Sequence, residues 1–212
     1  MASKLTPRGV AWPVEAMGEA LGVVVHPEPA AALRAWLDHL VAWNTRMDLT
    51  AARSNDELAD LMLGDALVLA RHVPSGAKVV DVGTGAGAPG LGLALLRPDL
   101  TVTLVEPLAK RVSFLRFVLG SLHRGDVTLT RSRSDGVAAS SFGVCIARAT
   151  LPPPAWLAEG LRLAEPGGAV WVLLAREDAP AAAGASIEES VGYRWPLTGA
   201  ERRAVRYRKE RG

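Results

Sequence analysis

The sequence predicts an α/β fold: a Rossmann-like, mostly parallel sheet with an antiparallel C-terminal hairpin, preceded by an N-terminal helical cap. Three observations predict it. From residue 78 onward, short β-rich runs alternate with segments of helical length. Those runs are packed with Val, Leu and Ile without polar alternation, as in strands covered on both faces. A glycine-rich loop follows the first run directly.

Residues 1–73 read as the helical cap and residues 74–212 as the Rossmann-like unit. In the cap, Leu33, Trp36, Leu37, Leu40, Val41 and Asn44 follow the spacing of one helix face. Ser54 with Glu57 three residues later is a capping-box pattern that opens a second helix through about Ala70. His72-Val73-Pro74-Ser75-Gly76 breaks it. Strands are expected at 78–82, 101–106, 127–131, 142–147 and 169–174, with helices at 89–96, 108–122 and 154–164. Two weaker strand candidates, 186–193 and 204–209, have no long helix between them and fit a terminal hairpin on the sheet edge.

At 212 residues and 49% hydrophobic composition the chain can bury one full-sized core. Cys145 is the only cysteine, which excludes an internal disulfide framework and a cysteine-rich metal site. The first 12 residues lack a basic start followed by an apolar run, so no export signal is expected. The most apolar stretch, 79–96, is interrupted by Asp81 and a series of glycines, so it is not a membrane helix. A cytoplasmic location is the expectation.

Charge is clustered. Residues 108–133 carry Lys110, Arg111, Arg116, Arg124, Arg131 and Arg133 against Asp126, a net of +5. The tail from 201 carries Arg202, Arg203, Arg206, Arg208, Lys209 and Arg211 against Glu201 and Glu210, a net of +4. Such clusters can hold a phosphate backbone, although an Arg-rich composition also arises from a GC-rich genome.

The loop Asp81-Val82-Gly83-Thr84-Gly85-Ala86-Gly87 is where chemistry is expected, because open α/β sheets bind ligands beyond the carboxyl ends of their strands. Gly83, Gly85 and Gly87 let the backbone turn sharply and let a ligand approach closely. Two motifs overlap here. Gly85-x-Gly87-x-x-Gly90 is formally a dinucleotide fingerprint, and Asp81-x-Gly83-x-Gly85-x-Gly87 is the acidic-x-G-x-G-x-G pattern of S-adenosylmethionine-dependent methyltransferases. The strand runs straight into Gly83, which leaves Gly90 inside the helix, and Pro89 removes an N–H from the helix start where a pyrophosphate would sit. Both points favour the methyltransferase pattern. Asp81 is expected to orient the loop through its backbone N–H groups, or to meet the ligand through water. Glu106, at the end of the second strand, can accept both ribose hydroxyls of an adenosyl group; a solvated strand-end acid is the plain alternative. Ser134 and Asp135 follow the third strand, where adenine contacts would come, and alone would read as a helix cap.

With these residues in place, the chain resembles the bacterial small-subunit (16S) rRNA guanine-N7 methyltransferases, the glucose-inhibited division B proteins. The resemblance runs from about Leu33 to Leu174 and is most specific from Asp81 through Gly87-Ala88-Pro89-Gly90-Leu91. Arg97-Pro98, Thr103-Leu104-Val105-Glu106 and Lys110-Arg111-Val112-x-Phe114-Leu115-Arg116 extend it, as do Trp43-Asn44, Leu49-Thr50-Ala51, Ala147-Arg148-Ala149 and the loop Pro166-Gly167-Gly168. It implies S-adenosylmethionine as cofactor, with contacts at Gly83, Ala88, Ser134, Asp135 and Arg148. The loop residues Asp81, Thr84, Gly85 and Gly87 and the strand-end Glu106 complete the expected cofactor site. The implied partner is 16S rRNA or the small ribosomal subunit, approached by a monomer and not at a membrane. The chain departs from the family at Asp48 (Asn), Met62 (His), Ala66 (Ser), Ala88 (bulky apolar), Thr150 (Phe) and Ala175-Arg176 (Lys-Gly), positions mostly outside the loop that could face substrate.

Guanine N7 carries a lone pair and no proton, so its methylation requires orientation rather than a general base. Cytosine C5 methylation would require a cysteine nucleophile, and Cys145 falls inside a buried strand. Many amine methyltransferases carry an Asn/Asp-Pro-Pro-aromatic motif after the fourth strand, where this chain has Ala147-Arg148-Ala149-Thr150. No catalytic side chain is therefore assigned. Arg148 is expected either to bind the methionine carboxylate or an RNA phosphate, or to pair with Asp65 within the fold. The Trp residues at 36, 43, 156 and 171 are expected in the core, and the context of Trp195 leaves its role open.

Overall fold

A computed structural model describes Leu5 and residues 11–211. The opening stretch on which the export-signal expectation rests falls mainly outside these residues.

The elements follow in the order α1 (Val14–Ala20), α2 (Pro27–Asn44), α3 (Asn55–Ala59), a π turn (Asp60–Gly64), α4 (Asp65–His72), β1 (Lys78–Val82), α5 (Gly90–Leu96), β2 (Thr101–Val105), α6 (Ala109–Ser121) and β3 (Thr128–Thr130). After a 3₁₀ turn (Ser134–Gly136) come β4 (Phe142–Ala147), α7 (Pro153–Leu163), β5 (Ala164–Leu174), β6 (Ala185–Arg194) and β7 (Glu201–Lys209). The seven strands form one sheet in the order β3-β2-β1-β4-β5-β7-β6. The first five run parallel, and β7 joins β5 antiparallel. The switch point lies between β1 and β4, where the chain stops building toward β3 and starts toward β5.

Strands β1, β2, β4, β5 and β7 split their side chains between two apolar layers. Val79 of β1 joins the layer shared with α2, α5 and α6, including Trp36, Leu40, Leu91 and Phe114. Val80 and Val82 join the opposite layer with Trp156 and Leu157 of α7. The N-terminal helices thus close one face of the sheet. The expected face of α2 is the buried one. Among the described residues, no helix is long and apolar enough to cross a membrane.

Three elements differ from expectation. Ser54 caps as expected, its hydroxyl accepting the Glu57 N–H, while Glu57 returns to the Arg53 N–H. The helix it opens, however, contains the π turn. There the buried Asp60 accepts the N–H groups of Leu197 and Thr198 and the Thr198 hydroxyl, so the widened turn is fastened to the β6–β7 connection. Pro166-Gly167-Gly168, expected as a loop, lies within β5, where Gly167 takes φ +78° and the β4–β5 register shifts. Finally, the last strand of the hairpin is not its outer one. β7 carries the buried Ala204, Val205 and Tyr207 and inserts beside β5, which leaves the polar β6 as the edge.

The basic tail is largely used by this hairpin. Arg206 pairs with Glu188 and Glu189, Arg208 with Glu188, and the Arg203 guanidinium donates to the Glu177 carbonyl. Of the six bases in residues 201–211, Arg206 and Arg208 are thus in cross-strand ion pairs, and Arg203 and Lys209 donate to backbone carbonyls.

Candidate cofactor and substrate site

The loop after β1 is held from four sides. Asp81 is fully buried, and its Oδ2 accepts the Thr84 hydroxyl at 2.6 Å and the Gly90 N–H at 2.8 Å. It orients the loop as expected, through Oδ2 alone; Oδ1 is buried with no hydrogen-bond partner. The N–H groups of Gly83 and Thr84 donate to the Val105 carbonyl at 2.8 and 3.1 Å. Glu106 Oε2 accepts the Gly85 N–H and Oε1 the Leu108 N–H, each at 2.9 Å, with Arg111 at 3.7 Å. Trp36 of α2 donates its indole N–H to the Ala86 carbonyl at 3.0 Å. Sequence reasoning placed Trp36 in the core and missed this support, because a helical apolar spacing does not reveal which loop lies above the helix.

The glycines answer different demands. At Gly83, φ is +69° and an added Cβ would lie 2.2 Å from Thr150 Oγ1. At Gly85, φ is +62° but the only heavy atom near an added Cβ is the Gly83 carbonyl oxygen at 4.0 Å, so that side of the loop is open. Gly90 has no Cβ because Asp81 and Leu104 occupy the space where one would stand. The spacing that resembles a dinucleotide fingerprint is thus a helix–strand packing requirement here.

Two cavities adjoin at the switch point. The smaller, about 270 Å³, is lined by Val82, Gly83, Val105, Ser134, Thr150 and Leu151, among others. The larger, about 450 Å³, is lined by Asp65, Arg148, Glu177, Tyr193 and Trp195 and shares Thr150 and Leu151 with the first. Thr150 sits between them and donates to the Val82 carbonyl at 3.0 Å.

The expected site residues therefore separate. Gly83 and Ser134 line the smaller cavity. Asp81, Thr84 and Glu106 are buried at the loop base. Gly85 and Gly87 shape the loop, and Ala88 packs in the apolar layer beneath it. Ser134 and Asp135 form a 3₁₀ turn rather than a helix cap. Arg148 lines the larger cavity, where its guanidinium donates to the Leu61 carbonyl and to Asp65 Oδ2 at 3.3 Å. Of its two expected roles, the pairing within the fold is the one observed.

Asp65 is the hub of this wall. Its Oδ1 accepts the Tyr193 hydroxyl at 2.7 Å and the Trp195 indole N–H at 3.1 Å. Burial, and then the Asp65 carboxylate, push the Tyr193 hydroxyl pKa up, so it stays protonated. Trp195 is buried, with the Arg202 guanidinium 3.8 Å from its ring centre. Its open role resolves as a wall residue rather than an exposed stacking platform.

Asp81 and Cys145 make checkable electrostatic predictions. Burial raises the Asp81 carboxyl from 3.8 to about 6, against the pull of Thr84 and Gly90. Its folded pKa lies above the unfolded one, so it adds stability that is full below about pH 4 and lost as pH rises through about 6. The stability of wild type relative to Asp81→Asn, from urea unfolding, is expected to fall by about 2–3 kcal/mol between pH 4 and 7. The Cys145 thiol, in the interior of β4, is pushed up to about 12 by burial. Iodoacetamide at pH 8 is expected to leave the folded protein unmodified and to alkylate it fully in denaturant, as read by mass spectrometry.

Comparison with known proteins gives the arrangement its identity. The sequence profile of the rRNA small subunit methyltransferase G (GidB) family matches residues 30–191. The ribosomal RNA small subunit methyltransferase G of Myxococcus xanthus is 35% identical over 202 residues, covering 90% of this chain and 93% of that protein. The chain belongs to the rRNA small subunit methyltransferase G family. Its namesake from Halorhodospira halophila is 42% identical over 142 residues, covering 66% of this chain and 67% of that protein. Among solved structures, a methyltransferase from Pyrococcus furiosus aligns with TM-score 0.57 at 17% identity, over 84% of this chain and 98% of that one. TYW2 of M. jannaschii in complex with AdoMet aligns with TM-score 0.56 at 13% identity, over 70% of this chain and 75% of that one. These two share the fold.

As a member of this family the chain is an S-adenosylmethionine-dependent methyltransferase. Several family-motif residues now have physical duties. Asn44 Oδ1 accepts the N–H groups of Leu49 and Thr50 and so closes the α2–α3 loop. The Arg97 guanidinium donates to the Ala70 and Val73 carbonyls, tying α4 to α5. The departures also sort themselves. Met62, Ala66 and Ala88 are buried, which corrects the expectation that they could face substrate; Ala66 packs against Gly92 of α5. Thr150 and Ala175 line the larger cavity.

Proposed function

We propose that this methyltransferase modifies N7 of a guanine in small-subunit (16S) rRNA, with the cofactor in the smaller cavity and the target base in the larger. The observation that carries this reading is the meeting of the two cavities at Thr150 and Leu151, at the carboxyl ends of β1 and β4. The names of the similar proteins supply the RNA class.

The residues present fit S-adenosylmethionine. The loop is open above Gly85, the smaller cavity has apolar walls at Val82, Val105 and Leu151, and Ser134 adds a polar edge. Glu106, with a further lone pair on each oxygen, would take the ribose hydroxyls. Ser134 and Asp135 would edge the adenine, and the backbone of Gly83, Thr84, Gly85 and Gly87 would support the rest. Asp81, Ala88 and Arg148 would act from behind, holding the loop and the wall between the cavities.

The bound cofactor supplies a sulfonium methyl that a lone pair attacks, the positive charge passing to the acceptor. The protein's task is to hold N7 in line and exclude competing nucleophiles. No side chain has to remove a proton. Burial makes Cys145 unsuited to nucleophilic catalysis. For RNA, Arg131 and Arg133 are exposed, and neither forms an ion pair among the described residues; Arg133 stands at the rim of the smaller cavity. They suit phosphates flanking a splayed-out base. The enzyme would act as a monomer in the cytoplasm.

The test is transfer of a labelled methyl group from S-adenosylmethionine to small-subunit rRNA, naked and within subunits, from cells lacking N7 methylation. Label on one guanine N7 is the expected result. Label on a protein, a small molecule or another RNA atom would replace the acceptor. Cofactor binding with no transfer would mark a non-catalytic relative.

A further inference from the structure

The larger cavity contains two carboxylates with different duties. Asp65 is buried, and both its oxygens are engaged, by Tyr193, Trp195 and Arg148. Glu177 stands exposed just beyond β5 and lines the same cavity. Its Oε2 accepts the N–H groups of Ala175 and Arg176, each at 3.0 Å. Those bonds fix the carboxylate through Oε2, and among the described residues none other than Glu177 itself donates to Oε1. Backbone N–H groups, its own and those two, hold its pKa below the ordinary value, so it is ionised at neutral pH.

Guanine alone among the four RNA bases presents two adjacent donors, N1–H and N2–H, on its pairing edge. A carboxylate is the side chain that accepts from both. We infer that Glu177 reads this edge of the target guanine, giving the larger cavity its base specificity and stabilising the charge that develops on the ring. The inference rests on the guanine-N7 reading above and deepens it.

The charge argument comes from the reaction's balance. The N7 lone pair forms the new bond to the methyl carbon as the methyl–sulfur bond breaks with its pair staying on sulfur. The ring becomes cationic, no proton leaves, and N1–H becomes a stronger donor. A carboxylate at that edge therefore binds the reacting ring more tightly than the neutral base, which raises kcat as well as affinity. The cavity's other charges do not supply this. Arg148 is paired with Asp65, and Arg202 lies over the Trp195 ring with its Nη1 on the Glu201 carbonyl.

The experiment compares wild type and Glu177→Gln on rRNA carrying either guanine or inosine at the methylated position, since inosine lacks the N2 amine. Calorimetry on both proteins separately measures binding of guanosine 5′-monophosphate and its N7-methylated form. Wild type is expected to favour guanine over inosine by about 10-fold or more in kcat/KM. Glu177→Gln is expected to lose about 10- to 100-fold on guanine RNA, chiefly in kcat, and distinctly less on inosine RNA. Wild type should bind the methylated nucleotide about 10-fold more tightly than the unmethylated one, a preference that the variant erases. N7 methylation by wild type with equal losses on the two RNAs, or with the nucleotide preference intact in the variant, overturns the role of Glu177 alone. A wild type that never labels guanine N7 overturns the underlying reading, and this one with it.

Discussion

Gly85→Val is expected to lower S-adenosylmethionine affinity by at least about 100-fold while costing only about 1–2 kcal/mol of folding stability. The stability cost is that of a branched residue held at φ +62°. It is modest because nothing in the protein crowds the new Cβ, the only heavy atom near it being the Gly83 carbonyl oxygen at 4.0 Å. The binding loss is large because that open side is where a cofactor resting on the loop has to lie. Gly83→Val makes the contrast. Its Cβ would lie 2.2 Å from Thr150 Oγ1 and 2.4 Å from Thr150 Cγ2, so the loop or the segment after β4 must shift, and stability should fall by a further 1–3 kcal/mol or so. Calorimetric titration with the cofactor and urea unfolding, run on both variants, separate the two effects. A Gly85→Val protein that is folded and binds the cofactor with unchanged affinity would put the cofactor somewhere other than on this loop.

Asp65→Ala is expected to destabilise the fold by about 3–5 kcal/mol, a drop in Tm on the order of 10 °C. The carboxylate accepts the Tyr193 hydroxyl, the Trp195 indole N–H and an Arg148 N–H at once. Its removal leaves a guanidinium and two polar donors without their acceptor in a largely buried wall. It also unfastens α4 from the end of β6, since Tyr193 belongs to that strand and Trp195 follows it. Asp65→Asn keeps an acceptor for the tyrosine and tryptophan, and should lose clearly less. Thermal unfolding of the two variants measures both. A loss below about 1 kcal/mol for the alanine variant would show that the wall does not depend on this carboxylate.

The fold was legible where local physics decides it. The change from helical spacing before residue 73 to short apolar runs after it marked out the five parallel strands, because a parallel sheet covered on both faces leaves a continuous apolar signal. Ser54 and Glu57 announced their helix start for the same local reason. The π turn was not visible, since Asp60–Gly64 is held open by partners more than 130 residues away. The order β5-β7-β6 was equally hidden: two weak strands predict a hairpin, but which of them inserts depends on the apolar face that β5 offers. Asp81 and the glycines Gly83, Gly85 and Gly87 could be read as one loop because they are contiguous in the chain, whereas the bond of Glu106 to the Gly85 N–H came only with the fold. Arg148 could be read only as a choice of roles.

By itself the sequence determined the class of protein, the glycine loop and the family, because each rests on short-range spacing: glycines at positive φ, a carboxylate at a strand end, apolar periods matched to helix or strand. Tertiary structure alone decided what those residues touch. It placed Met62, Ala66 and Ala88 in the core and Thr150 between two cavities. It set Trp36 against the loop and gathered Asp65, Arg148, Tyr193 and Trp195 into one wall. The physical reason is that hydrogen bonds and close packing act over a few ångströms in space. Residues 61, 148 and 193 become neighbours only after the sheet has brought the ends of β4 and β6 to the π turn.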